Sequence, residues 1–123
     1  MTFARRVFFI AGLYGLLTLL PDYFLEARIG RDAPPPITHP EFYYGFVGIA
    51  LAWQLLFFVI ARDPVRYRMA MLPAALEKLV FAAAVLALYA QQRVAARLLP
   101  FAVIDVVLCA LFLGAWWRIP SRS

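Results

Sequence analysis

Four long apolar runs divide the chain, and charge, proline and glycine collect in the short stretches between them. A spanning helix needs about 20 mostly apolar residues, and the pattern predicts four, over about residues 3–20, 42–61, 69–91 and 98–117. Residues 21–41 form the longest connection, and residues 62–68 a short basic turn. The expected fold is an all-α membrane protein, an antiparallel four-helix transmembrane bundle in one domain over residues 1–123. Four spans with their turns nearly use up that length, leaving no room for a separate soluble catalytic domain.

Within the runs, finer signals place the helix ends. Arg5 and Arg6, an apolar stretch and then Pro21 also fit the outline of a secretory signal peptide, but Leu25-Glu26-Ala27 is a poor small-residue cleavage site, so a retained helix is expected. Gly12 and Gly15 lie on one side of it, and Tyr14 and Thr18 lie on another. Residues 21–28 predict a short interfacial helix with Tyr23 and Phe24 at headgroup level. Ala33-Pro34-Pro35-Pro36 predicts an extended polyproline spacer. Thr38-His39-Pro40-Glu41 reads as a capping box with Thr38 as N-cap. Phe42, Tyr43, Tyr44 and Phe46 then predict an aromatic belt. Gly45, Gly48 and Ala52 share one face of span two, the face expected to meet a neighbouring helix, while Gln54 lies nearly opposite with Val47, Ala50 and Phe58. Asp63-Pro64 ends that helix, because the residue before proline is pushed out of the α region. Trp116, Trp117 and Arg118 are placed to anchor the last span, and residues 119–123 read as a disordered tail.

Composition strengthens the membrane reading. The chain is 65% hydrophobic and 15% charged, and a soluble domain of this size lacks the polar surface to cover that much apolar area. The formal charge is +5, and eleven of the twelve basic residues are Arg, a bias that with the abundant Ala suggests a GC-rich bacterial genome. The bases sit at span ends, where anionic headgroups on the cytoplasmic side are the natural counter-charge, so membrane lipids rather than nucleic acid are the expected partners. With both termini inside, Arg5, Arg6, Arg62, Arg66, Arg68, Lys78, Arg118 and Arg122 face in, against Arg28, Arg31, Arg93 and Arg97 outside. That asymmetry predicts N-in/C-in by the positive-inside rule, in a cell inner (plasma) membrane. Cys109 is the single cysteine, which excludes a disulfide within the chain and reads as a small buried apolar residue.

Chemistry is expected where ionisable groups sit inside spans, since a charge at the bilayer centre costs at least about 2.5–3.5 kcal/mol on insertion scales. Glu77, Lys78 and Asp105 qualify, with Gln54 as a polar neighbour. At a rise of about 1.5 Å per residue, Gln54, Glu77 and Lys78 fall slightly to the inner side of mid-membrane and Asp105 slightly to the outer. They form a candidate site for a ligand or a proton: a proton carrier, or the polar end of a pocket for a lipophile. Three structural alternatives stand beside it. Lys78 pairs with Asp105 or Glu77; Gln54 bonds across helices; or Lys78 snorkels to the inner headgroups. Adjacent helical residues diverge by about 100°, so Glu77 and Lys78 are not expected to point the same way. Arg62, Arg66 and Arg68, with Tyr67, read as an anchor or as a docking patch for anionic lipid or a partner. His39 with Glu41 is too few ligands for a metal. With no P-loop, GxSxG, HExxH or haem pattern, a cofactor held by this chain alone is not expected; a non-catalytic role is the first reading, and a small proton-coupled carrier or lipid-modifying enzyme using Glu77 and Asp105 is the alternative.

Gly45, Gly48, Ala50, Arg62-Asp63-Pro64, Arg66 and Asp105 together resemble the DoxX-like small four-helix bacterial membrane proteins over about two-thirds of the chain. The resemblance implies an accessory role beside other membrane subunits or in a homo-oligomer. Small multidrug transporters carry an essential Glu in span one, where this chain has no acid before Asp22. Sterol-isomerase-like proteins surround a lipophilic pocket with several acids and a His, which Glu77 and Asp105 match only in part.

Overall fold

Small residues make up half of the buried apolar positions, with a few large side chains such as Phe8, Phe57 and Phe112 among them, while many large apolar residues face outward. In lipid there is no hydrophobic force to hide the large side chains, and helices associate where small residues let them approach. Ala4, Ala11, Ala50, Ala61, Ala74, Ala75, Ala82, Ala102 and Ala115 are all buried, whereas Leu17, Ile49, Leu55, Val80 and Val103 are exposed. The computed structural model describes residues 2–32 and 37–119. The proline run 33–36 and most of the tail, Arg122 included, lie outside the described residues.

The described chain is helical throughout: α1 (Phe3–Leu19), α2 (Glu26–Asp32), α3 (Pro40–Arg62), α4 (Met71–Ala90) and α5 (Leu99–Arg118), with 3-10 turns at Leu20–Phe24, Arg68–Ala70 and Ala96–Leu98. Four of its helical segments, around α1, α3, α4 and α5, are long and apolar enough to cross a membrane. The helix ends follow local chemistry. Thr2 Oγ1 accepts the Arg5 amide at 3.3 Å and caps α1. Asp63, before Pro64, leaves the helix in an extended conformation (φ −147°, ψ 79°), as its neighbour requires. Arg93 N donates to Leu88 O (2.8 Å) and Gln92 N to Tyr89 O (2.9 Å), a Schellman closure of α4 that puts Gln92 at φ 60°. At the end of α5, Arg68 Nε donates to the carbonyls of Trp116 (3.1 Å) and Ile119 (2.6 Å) while its guanidinium lies 4.4 Å from the Trp116 ring centroid.

Two sequence expectations are corrected. The N-cap of α3 is His39, not Thr38, and no side chain caps it; Pro40 occupies the first turn, and Glu41 turns to the His39 ring (Oε1 to Nδ1 3.2 Å). The Gly45/Gly48/Ala52 face does not carry the main packing. Gly45 and Ala52 are exposed, and a methyl added at Gly45 would meet nothing within 4 Å. The packed face is the opposite one, with Val47, Ala50, Gln54 and Phe57.

The helices associate chiefly as two pairs, α1 with α3 and α4 with α5, joined by α1 against α5. Gly12 and Gly15 make the first pairing close. A Cβ at Gly12 would sit 3.0 Å from the Phe58 ring, and one at Gly15 would sit 1.9 Å from Gln54 Oε1. The pairs meet tightly over half their length only. There Val7, Phe8 and Ala11 of α1 pack with Phe57 and Ile60 of α3, Met71 and Ala74 of α4, and Cys109, Phe112 and Ala115 of α5. Phe8 stacks on Phe112 with centroids 4.2 Å apart, and Phe57 meets Phe112 edge-on at 5.0 Å. Over the other half, α4 and α5 keep a small core of Ala82, Val85 and Ala102.

Candidate functional site: a cavity with a charged floor

Where the pairs separate, a cavity of about 670 Å³ opens. Tyr14, Thr18 and Asp22 line it from the α1 side at four-residue spacing, and Phe46, Ala50 and Gln54 do the same from α3. Phe81 and Phe101 line it from α4 and α5. Leu25, Arg28, Ile29 and Asp32, on and just before α2, complete the wall. The aromatic start of α3 is tied to this segment: the Tyr43 hydroxyl donates to Asp22 O, the Tyr44 hydroxyl donates to Glu26 Oε2 at 3.2 Å, and Tyr23 stacks on Tyr44. Across the mouth, Arg97 Nη2 donates to Asp32 O at 2.8 Å, and Arg28 Nε lies 3.6 Å from Asp32 Oδ2. The expected interfacial segment thus becomes a covering helix, and Tyr43 and Tyr44 commit their hydroxyls to it.

The floor is the group singled out from sequence. Gln54, Glu77, Lys78 and Asp105 all line the cavity at the boundary with the packed half. Lys78 Nζ stands 3.8 Å from both Glu77 Oε2 and Asp105 Oδ1, too far for a hydrogen bond but close enough for strong attraction in a low dielectric. It also sits 5.2 Å from the Phe57 ring centroid, a cation–π distance. Lys78 does not snorkel: its side chain is 5% exposed. The divergence expected of neighbouring residues is overcome by side-chain length, because the four-carbon stem of Lys78 brings its ammonium round to Glu77. Gln54 does not bond across helices. Its Nε2 donates to Ala50 O at 2.7 Å within α3, and Oε1 is buried without a hydrogen-bond partner, pressed towards Gly15.

The basic turn resolves differently from its sequence pattern. Arg68 is turned inward onto the end of α5, so Arg62, Arg66 and Arg68 do not present one docking patch. Arg66 N donates to Asp63 Oδ1 (3.2 Å), and its guanidinium lies over Tyr67, 5.4 Å from the centroid. Arg62 instead shares a shallow groove with Arg5, Phe9 and Phe58. Cys109 is buried in the packed half. Among the described residues, no three His, Cys, Asp or Glu gather in a way that could hold a metal.

Helices of this length and composition define a multi-pass membrane protein. The chain matches no known family model, no curated protein and no solved structure.

Proposed function

We propose that the chain is a non-catalytic, lipophile-binding membrane module, and that the cavity between the helix pairs is its binding site. The observation that carries this reading is the cavity itself: about 670 Å³, walled largely by apolar and aromatic side chains and ending on a few convergent polar groups. That is the usual form of a small-molecule site, which runs to about 300–1,000 Å³. We place it in an antiparallel bundle with both termini inside a bacterial plasma membrane. Support comes from the basic residues near the chain ends and the α3–α4 turn, and from the start of α1, end of α3, start of α4 and end of α5 sharing one core. The DoxX-like motif residues favour an accessory role within a larger membrane assembly.

A proton-coupled carrier is the second reading, favoured by the pairing of Lys78 with two carboxylates. The packed rings of Phe8, Phe57 and Phe112 beyond the floor favour binding over passage, since they fill the path with aromatic side chains. The test is mass spectrometry of lipids that travel with the purified protein, compared with Thr18→Trp, which places an indole in the cavity. A stoichiometric amphiphile on the wild type, absent from the variant, supports the reading. Equal lipid content in both overturns it.

A further inference from the structure

We propose that the polar end of the ligand is a protonated amine, so that the cavity is selective for cationic amphiphiles; this deepens the binding reading above and rests on it. The first argument is charge. Ionised, Glu77, Lys78 and Asp105 sum to −1, and no other charged side chain lies within salt-bridge distance of them among the described residues. An unbalanced charge in the middle of a membrane is costly, and a cation delivered by the ligand removes that cost.

The second argument is which groups face the ligand. Lys78 is the most covered of the three, its side chain 5% exposed, whereas Glu77 keeps 21% and Asp105 11%. The two acidic side chains thus keep more surface than the lysine between them. Glu77 Oε2 is buried towards Lys78, and the ammonium stays at 3.8 Å from both acids, so among the described residues neither carboxylate is hydrogen-bonded to it. A primary ammonium brings three donors and no acceptor.

The third argument is the route. Tyr14, Phe46, Phe81 and Phe101 line the walls, and aromatic faces attract cations. At the mouth Arg97 donates to the Asp32 carbonyl and Arg28 lies 3.6 Å from the Asp32 carboxylate, so the positive charge there is partly offset.

The experiment is equilibrium binding of dodecylamine, dodecanol and dodecanoate to the full chain in maltoside micelles, corrected for partition into empty micelles. Dodecylamine is expected to bind about tenfold or more tighter than dodecanol, from its charge-assisted hydrogen bonds, with dodecanoate weakest. Glu77→Gln or Asp105→Asn brings the floor to zero and should erase the amine preference. Glu77→Gln with Lys78→Gln returns the floor to −1 and should restore it. Equal binding of amine and alcohol, or a preference for dodecanoate, overturns this inference while leaving a lipophile site in place. No saturable binding of any of the three overturns the site as well. The wild-type comparison decides even where a variant does not fold.

Discussion

The contact between Gly15 and Gln54 gives the sharpest expectation for stability. A methyl at position 15 would fall 1.9 Å from Gln54 Oε1, 2.2 Å from Cδ and 2.6 Å from Cγ. A carbon–oxygen contact settles near about 3.3 Å, so the Gln54 amide must withdraw by about 1.4 Å. Withdrawal means a new rotamer and the loss of the 2.7 Å bond from Nε2 to Ala50 O. That bond contributes about 1 kcal/mol, and leaving the buried amide unpaired costs about 1–3 kcal/mol. Against this, Gly→Ala in a helix stabilises by at most about 1 kcal/mol, less where the denatured state stays helical in micelles. Gly15→Ala should therefore destabilise the protein by about 2 kcal/mol. In a Gln54→Ala background the obstructing atoms are gone, and the same substitution should be neutral or stabilising. The expected coupling is about 2–3 kcal/mol, read as a double-mutant cycle from reversible unfolding in mixed dodecylmaltoside–SDS micelles. The reasoning is refuted if Gly15→Ala costs nothing in the wild type, or costs the same in both backgrounds.

Four further outcomes follow from the structure. Lys78→Met leaves Glu77 and Asp105 without the cation they share and should destabilise by about 3–5 kcal/mol, well beyond Glu77→Gln, in the same unfolding assay. Arg68→Ala removes both hydrogen bonds to the end of α5, at about 1–3 kcal/mol, and should speed amide exchange from Ala115 to Ile119; Arg68→Lys should recover little, since Lys lacks the planar guanidinium that stacks on Trp116. Gln92→Gly relieves a left-handed non-glycine residue and should raise stability by up to about 1 kcal/mol; a loss would refute the Schellman assignment. Gly45→Leu should leave monomer stability within about 0.5 kcal/mol, because among the described residues no atom lies within 4 Å of a Cβ at that exposed position. A loss of oligomer from the same variant, seen by cross-linking, would mark that face as an intermolecular contact.

Most of the helical framework was legible in the sequence because the bilayer demands long apolar runs, and proline and charge mark their ends. The structural helices begin and end within a few residues of the expected spans. Gln54, Glu77, Lys78 and Asp105 were legible as a set because polar groups are expensive in lipid. The cavity above them was not, because it arises from how two helix pairs splay, and a one-dimensional pattern does not encode that separation. One signal was present: Tyr14 and Thr18 on α1 and Asp22 in the turn after it form a polar stripe, and Phe46, Ala50 and Gln54 line up on α3. The packing face of α3 was read the wrong way round because both its faces carry small residues. Gly45 and Ala52 suggest a contact, but Ala50 is the small residue that is buried, beside the cavity. Arg68 was grouped with Arg62 and Arg66 by proximity in sequence, while its side chain reaches a carbonyl 51 positions away.

The division of each spanning helix into a packed half and a cavity-lining half has an evolutionary consequence. Residues that hold the bundle together, such as Phe8, Phe57, Met71 and Phe112, are not the residues that shape the ligand space, such as Thr18, Phe46, Phe81 and Phe101. Most substitutions cost proteins stability, and the tolerance for them is limited. Here the walls are free to vary in size and polarity while the aromatic half keeps the chain assembled. If the cavity holds a lipophile as proposed, descendants of such a chain can exchange one for another by a few changes near the mouth, with the bundle itself carried along unchanged.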